Sequence, residues 1–193
     1  PNLGPNKINV EFKEFGPWFA SNQSVSFTDS CSYVYPITTN QFGMRDKQRN
    51  IKKGNKLRIA VLGDSIMEGL HVEDYKYATI LIEEELNKND IDSEVLNFSF
   101  SGYGTSQQLA LFENLVYKFN PDVVLLFSLA SNDLRNNSRD LEYLAYGNRL
   151  EDYGSSNSPP FSYYEFINGE LVYFPNLRKE NKIKKFLKNI FFI

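Results

Sequence analysis

The chain has 193 residues, of which 41% are hydrophobic and 15% aromatic, a size and composition that allow a packed core and exclude a disordered chain. A formal net charge of −3 excludes a global basic field for binding nucleic acid. The single cysteine, Cys31, excludes an internal disulfide and a cysteine-built metal site, and nothing in the sequence indicates a cofactor. The first residues do not form a signal peptide, no apolar run is long enough to span a bilayer, and no compartment is indicated.

Residues 1–55 lack a helical period and are predicted to form an extended N-terminal arm and linker packed on a main domain at 56–193. The β-rich segments of this arm are 10–15, 24–27 and 33–37. Its aromatic residues are expected to anchor it, since aromatics are usually buried, whereas their spacing gives no support to a carbohydrate-binding surface. These residues are Phe12, Phe15, Trp18, Phe19 and Phe27. The basic segment 47–56 predicts a solvated loop.

The apolar run 59–62 ends at Gly63-Asp64-Ser65. A run without alternation is typical of a strand that is buried on both faces of a parallel α/β sheet. Catalytic groups in such sheets lie just past the carboxyl ends of the strands. Ser65 stands at that position, at the start of the next helix, where backbone N–H groups are free. Our hypothesis is that Ser65 is a nucleophile.

After this strand the pattern alternates regularly between helix and strand. The elements are a helix over 76–87, a strand over 95–98, an amphipathic helix from a Thr105 or Ser106 cap to Asn120-Pro121, and a third buried strand over 123–127. Strands and helices in this order, with short links, predict right-handed βαβ units on a parallel sheet. All three strands then bring the loops at their carboxyl ends to one edge.

Each of those three loops carries a block of polar residues and glycines. The first is Gly63-Asp64-Ser65, with Gly69 four residues after the serine, the second is Ser101-Gly102-Tyr103-Gly104, and the third is Ala130-Ser131-Asn132-Asp133. In this order they resemble the three blocks of the SGNH, or GDSL-type, hydrolase family, with Gly102 as the glycine of the second block and with alanine in place of the usual glycine in the third. Each block alone is better explained as a turn or a helix cap, whereas three blocks in order, each after its own strand, favour a hydrolase-like site. The resemblance covers roughly 57–137, with weaker similarity at 40–46.

This resemblance implies a flavodoxin-like three-layer α/β/α fold and a serine esterase or acyl hydrolase. Ser65 would be the catalytic nucleophile that attacks an ester carbonyl. The implied oxyanion hole consists of the backbone N–H groups of Ser65 and Gly102 and the side-chain amide of Asn132. Supporting residues are Gly63, Asp64 and Asp133, and Asp64 is expected to orient the turn rather than take protons. The implied partner is a small-molecule ester or an acylated glycan.

The catalytic base is missing from its expected place. A serine nucleophile needs a base, and the family carries a histidine near its C-terminus in an Asp-x-x-His block. This sequence has one histidine, His71, six residues after Ser65, and no Asp-x-x-His follows the third block. We expect His71 to be a surface residue of the loop after the first strand. The triad is therefore incomplete, and the chain as given is expected to be inactive.

The C-terminal third contains a predicted hairpin and a basic amphipathic helix. Segments 163–167 and 170–174 flank Asn168-Gly169, a dipeptide typical of two-residue hairpin turns, and both a lid over the site and a plain surface hairpin remain open. The helix would carry an apolar face, which could cover the sheet or contact a membrane, although nothing else supports membrane contact. Its apolar residues are Ile183, Phe186, Leu187, Ile190 and Phe191. We expect the domain to be truncated, with the histidine beyond Ile193.

Alternatives to the esterase stay open at this point. An O-acyltransferase could use the same site, and a non-catalytic relative could bind a ligand or partner through the same pocket. Nucleotide binding at the sheet edge is disfavoured, because the sequence lacks both a Gly-Lys-Ser/Thr phosphate loop and a Gly-x-Gly-x-x-Gly turn.

Overall fold

The computed structural model describes residues 9–12, 14–28, 34–69, 71–74, 76–138, 140–141, 144 and 163–174. Its strands are β1 (Asn9–Phe12), β2 (Gly16–Phe19), β3 (Ser24–Thr28), β4 (Val34–Thr38), β5 (Leu57–Leu62), β6 (Ser93–Asn97), β7 (Val123–Leu126), β8 (Tyr163–Ile167) and β9 (Glu170–Phe174). Its helices are α1 (Ser65–Glu68), α2 (Ala78–Lys88), α3 (Thr105–Asn114) and α4 (Asp133–Asn136), with a 3-10 turn at Val116–Phe119. Within these ranges no helix has both the length and the apolar character needed to cross a membrane.

The centre of the fold is a three-stranded parallel sheet in the order β6-β5-β7. Val61 of β5 lies opposite Asn97 of β6 on one side and Leu125 of β7 on the other. The order places the first strand of the unit in the middle, as expected when two βαβ crossovers proceed to opposite sides. The predicted α/β class with a parallel sheet is confirmed.

The two faces of the sheet belong to two different hydrophobic clusters, because successive side chains of a strand point to opposite faces. On one face, Ala60 and Leu62 of β5 pack in a large cluster with Ala110 and Leu111 of α3. On the other face, Ile59, Val61 and Val95 pack with Ile82 and Leu86 of α2. Helices therefore cover both faces at β5 and β6, which gives three layers.

The third strand is not buried, contrary to the prediction. Val124 is 41% exposed and Leu126 53% exposed, and Val123 and Phe127 are exposed as well. β7 is an edge strand of the described sheet, with β5 as its hydrogen-bonded neighbour. An apolar run identifies a strand by composition, but the layers packed on it determine its burial.

The two predicted helices differ from the observed ones at their ends. α2 begins at Ala78, two residues later than predicted, and α3 is capped by Gly104, whose N–H donates to Gln107 Oε1 at 2.9 Å, rather than by Thr105 or Ser106. α3 ends at Asn114, and the remaining turn to Phe119 is 3-10. The left-handed residue Asn120, with φ of 48°, stands at the predicted stop, but it ends the 3-10 turn and not α3.

Aromatic residues join β2 to the sheet. The Trp18 ring lies 5.6 Å from that of Phe100, and the Tyr103 hydroxyl donates to the Pro17 carbonyl at 2.6 Å. Phe15, Trp18 and Phe19 are all buried in the large cluster. The prediction of a buried anchor is wrong for Phe12, which is 39% exposed and stacks on Phe15. The side chain of Phe27 lies outside the described residues.

Segment 47–56 was predicted to be a solvated loop, but part of it is buried. Arg49 is buried, pairs with Asp46 at 2.9 Å and with Glu83 of α2 at 2.8 Å, and donates to the Val95 carbonyl at 2.7 Å. The lysines at both ends of this segment, Lys47 and Lys56, are exposed. Arg49 therefore fastens this segment to α2 and β6.

The predicted hairpin of β8 and β9 is confirmed, with positive φ at Asn168 and Gly169 as a type I′ turn requires. It contacts α3, because the Tyr164 N–H donates to the Ser106 hydroxyl at 2.9 Å. The lid and the surface-hairpin interpretations both remain predictions. The predicted basic amphipathic helix, whose residues fall between Arg178 and Phe191, lies outside the described residues.

Candidate active site

Ser65 is the first residue of α1, directly after the turn that follows β5. The Asp64 carboxylate caps this helix by accepting a hydrogen bond from the Ile66 N–H at 2.9 Å. The helix ends after one turn at Gly69, whose left-handed φ of 68° allows its N–H to reach the Ser65 carbonyl at 3.3 Å. Ser65 itself is exposed, whereas Asp64 is buried. The turn thus exposes Ser65 to solvent, while the buried Asp64 cap fixes the start of α1.

Gly63 joins the first loop to the second. A Cβ at this position would lie 2.6 Å from Met67 Cβ, so any side chain would displace α1. The Gly63 carbonyl accepts a hydrogen bond from the Phe100 N–H at 3.2 Å. Ser65 is therefore held close to the loop that follows β6.

The second loop contains Gly102 in a left-handed conformation, with φ of 81°. Its carbonyl accepts a hydrogen bond from Asn136 Nδ2 at 2.9 Å, which ties this loop to α4. Asn97, at the end of β6, is buried and donates to the carbonyls of Arg45 and Met67 at 3.3 and 3.4 Å. Asn97 is thus a structural link beneath the loop, while Gly102 is half-buried at its surface.

The third loop is bonded to the first through Asn132. Its side-chain amide donates to Asp64 Oδ2 at 3.2 Å. The neighbouring Asp133 is buried and accepts from the Leu129 N–H at 2.7 Å, which closes the loop on itself. Positive φ among the described non-glycine residues occurs at other positions, so Ala130 has an ordinary backbone conformation that does not require glycine. Those positions are Asn22, Asp90, Asn120 and Asn168.

The three loops thus form one hydrogen-bonded group at the carboxyl edge of the sheet. The first and second are joined at Gly63, the first and third at Asp64, and the second and third at Gly102. His71 lies on the exposed segment that follows α1. Within the described ranges, no three His, Cys, Asp or Glu side chains are grouped so that they could hold a metal.

Sequence reasoning missed Glu68, which is fully buried at the end of α1. Its carboxylate accepts hydrogen bonds from the N–H of Ser101, at 2.5 Å, and from the hydroxyl of the same residue. Burial raises the pKa of Glu68 to about 7, against the lowering effects of the Ser101 hydrogen bonds and of Arg45. An acidic residue three positions after Ser65 looks like an ordinary surface residue of a helix, so nothing local indicated its burial.

Arg45 was also missed, although it lies within the weakly similar segment 40–46. Its side chain is inaccessible to solvent and pairs with Asp74 at 3.2 Å. It also donates to the main-chain carbonyls of Glu68, Gly69 and Val72. Arginine can satisfy several acceptors at once because its guanidinium carries five N–H donors. Arg45 therefore fixes the segment that follows Ser65.

No family model and no curated protein matches the sequence. Among solved structures, the chain is similar to TesA, with 24% identity over 50% of this chain and 54% of that one and a TM-score of 0.38. It is also similar to AlinE4, a SGNH-hydrolase family esterase, with 21% identity over 53% and 57% of the two chains and a TM-score of 0.39. A mutant of esterase AlinE4 gives 19% identity and the same TM-score of 0.39. The chain thus spans little more than half the length of these proteins, and the likeness is one of fold.

Proposed function

We propose that the three loops form the site of a serine esterase or acyl hydrolase. Ser65 Oγ attacks the ester carbonyl, the alcohol leaves, and water then releases the acyl group from the serine. The observation that carries this proposal is the hydrogen bond from Asn132 to Asp64, which brings the third block to the residue beside Ser65. The proposed substrate is either a small-molecule ester or an acylated glycan.

The developing oxyanion would be stabilised by three neutral donors. Two are the backbone N–H groups of Ser65 and Gly102. The third is the Asn132 amide, which has two N–H bonds and uses one of them on Asp64. Removal of one such donor costs about 2.7–4 kcal/mol of transition-state stabilisation in hydrolases of this chemistry.

The base that takes the Ser65 proton is the component that the sequence does not supply in its expected place. His71 is exposed and stands six residues after Ser65, and no Asp-x-x-His follows the third block. Turnover by the printed chain is therefore expected to be negligible. This departure favours a second candidate, a non-catalytic protein that binds an ester-like ligand at the same loops. An O-acyltransferase would need the same base.

A fluorophosphonate probe, which reacts with activated serines, tests the proposal on this chain and on a version extended past Ile193. Labelling that disappears in Ser65→Ala and persists in Ser24→Ala, an exposed serine on β3, supports the esterase. Mass spectrometry of the labelled peptide locates the adduct. An extended version that contains Asp-x-x-His but leaves Ser65 unlabelled contradicts the proposal and favours the binding protein.

A further inference from the structure

Glu68 joins the helix of the nucleophile to the loop of the second oxyanion donor. Ser65 and Glu68 are the first and last residues of the single turn α1. Glu68 Oε2 accepts both the N–H and the hydroxyl of Ser101. Ser101 immediately precedes Gly102, so the carboxylate acts on the residue next to the proposed donor.

The peptide bond between Ser101 and Gly102 includes the Gly102 N–H. Hydrogen bonds fix the residues on both sides of this peptide bond. On the Ser101 side, two hydrogen bonds to one carboxylate oxygen fix the position of the residue. On the other side, Asn136 Nδ2 donates to the Gly102 carbonyl at 2.9 Å. Because a peptide unit is planar, fixing both neighbours limits the directions in which its N–H can point. The left-handed backbone of Gly102 sets the remaining angle.

We propose that Glu68 is a positioning residue, which holds the Ser101-Gly102 peptide so that the Gly102 N–H points to the oxyanion of an ester bound at Ser65. This proposal rests on the esterase function proposed above. A fully buried carboxylate is costly unless it is hydrogen-bonded. Among the described residues, both hydrogen bonds to the Glu68 carboxylate come from Ser101, so the buried carboxylate and the position of this loop depend on each other. The ionised carboxylate is the better acceptor, because hydrogen bonds to a charged group are shorter and stronger.

Three groups face the carboxyl from the elements packed around it. Arg45, from the segment after β4, lowers the pKa of Glu68, and Asp64, from the turn after β5, raises it. The second loop contributes the uncharged Ser101. Burial outweighs these effects and brings the pKa to about 7, so both protonation states of Glu68 are populated near neutral pH. The hydrogen bonds from Ser101 to the Glu68 carboxylate therefore strengthen as the pH rises through this value.

The test compares Glu68→Gln, Glu68→Ala and Ser101→Ala in the form of the protein that the fluorophosphonate probe labels. Glu84→Gln, the same change at an exposed position of α2, is the matched control. We expect labelling about 10-fold slower for Glu68→Gln, which keeps one acceptor oxygen, and about 100-fold slower for Glu68→Ala. Glu84→Gln should label at the wild-type rate. In nuclear magnetic resonance spectra, the Ser101 amide should titrate with a midpoint near pH 7 in wild type and not in Glu68→Gln.

The outcomes separate this proposal from the function on which it rests. If Ser65 labels at the same rate in wild type and in folded Glu68→Ala, the positioning role is wrong and the esterase stands. If Ser65 labels in no form, the esterase fails and the positioning role fails with it. A Ser101 amide resonance that is the same in wild type and in Glu68→Gln at every pH contradicts the proposed contact between Ser101 and the carboxylate. Labelling that is slowed equally in Glu68→Ala and in the double variant Glu68→Ala, Ser101→Ala supports the proposal, because the effects of two residues that act through one contact are not additive.

Discussion

The side-chain amide of Asn132 donates a hydrogen bond to the carboxylate of Asp64 at 3.2 Å. These residues are 68 positions apart in the sequence. Asp64 uses one carboxylate oxygen to cap the helix of Ser65 and the other to hold Asn132. One buried side chain therefore sets both the start of α1 and the position of a proposed oxyanion donor.

Replacing Asp64 with alanine should lower the free energy of unfolding by about 1–3 kcal/mol, since the helix cap and the bond to Asn132 are lost together. Urea denaturation followed by circular dichroism measures the change. The matched control is Asp92→Ala, which removes an exposed ion pair with Lys56 and should cost about 0–1 kcal/mol. Equal costs for the two variants would show that the Asp64 contacts contribute little.

Replacing Gly102 with alanine should destabilise the protein by about 1–2 kcal/mol, because a side chain is strained at its left-handed φ of 81°. It should also slow the labelling of Ser65, since relief of the strain turns the Gly102 N–H. Gly54→Ala is the control, because no atom lies within 4 Å of a Cβ at Gly54 and its φ is not left-handed. A Gly102 variant as stable as the Gly54 variant contradicts the assigned backbone.

Glu68 should make stability depend on pH. Its pKa is raised from 4.5 to about 7 in the folded chain, so the folded state holds the proton more tightly than the unfolded state. The resulting stability is fully present below about pH 4.5 and is lost as the pH rises through about 7, an effect on the order of 3 kcal/mol. Wild type should therefore exceed Glu68→Gln in stability by more at pH 5 than at pH 8.

Unfolding free energies from urea titrations at pH 5, 6, 7 and 8 measure this difference. Glu84→Gln serves again as the control, and its difference from wild type should not change over the same pH range. A difference between wild type and Glu68→Gln that stays constant from pH 5 to pH 8 would show that the carboxyl titrates with its ordinary pKa.

A pair of identical substitutions on neighbouring strands tests the exposure of β7. Val61 is 0% exposed on β5, whereas Val124 on β7 is 41% exposed. Val61→Thr should cost about 1–3 kcal/mol, because it buries a hydroxyl in an apolar cluster. Val124→Thr should change stability by less than about 0.5 kcal/mol. Thermal or urea unfolding measures both, and a large cost at Val124 would mean that β7 is covered in solution.

The sheet and its hairpin could be predicted because their patterns are local. The apolar run of β5, and the Asn168-Gly169 turn with its flanking β-rich segments, identify their elements from a few adjacent residues. The helix ends were predicted less well. α3 stops five residues early, at a point where the Asn114 side chain bonds back to the Ala110 carbonyl at 2.8 Å, and composition does not specify that contact.

By itself, the sequence determined that Ser65, Gly102 and Asn132 each follow a strand of one parallel sheet, because hydrophobic pattern and chain order suffice for that. Only the tertiary structure decided that Glu68 is buried beneath Ser101, that Arg45 fixes the segment after Ser65, and that β7 is exposed. The physical reason is that the burial and partners of a side chain depend on elements far away in the chain. The pKa of Glu68 follows from that burial, and its sequence neighbours do not reveal it.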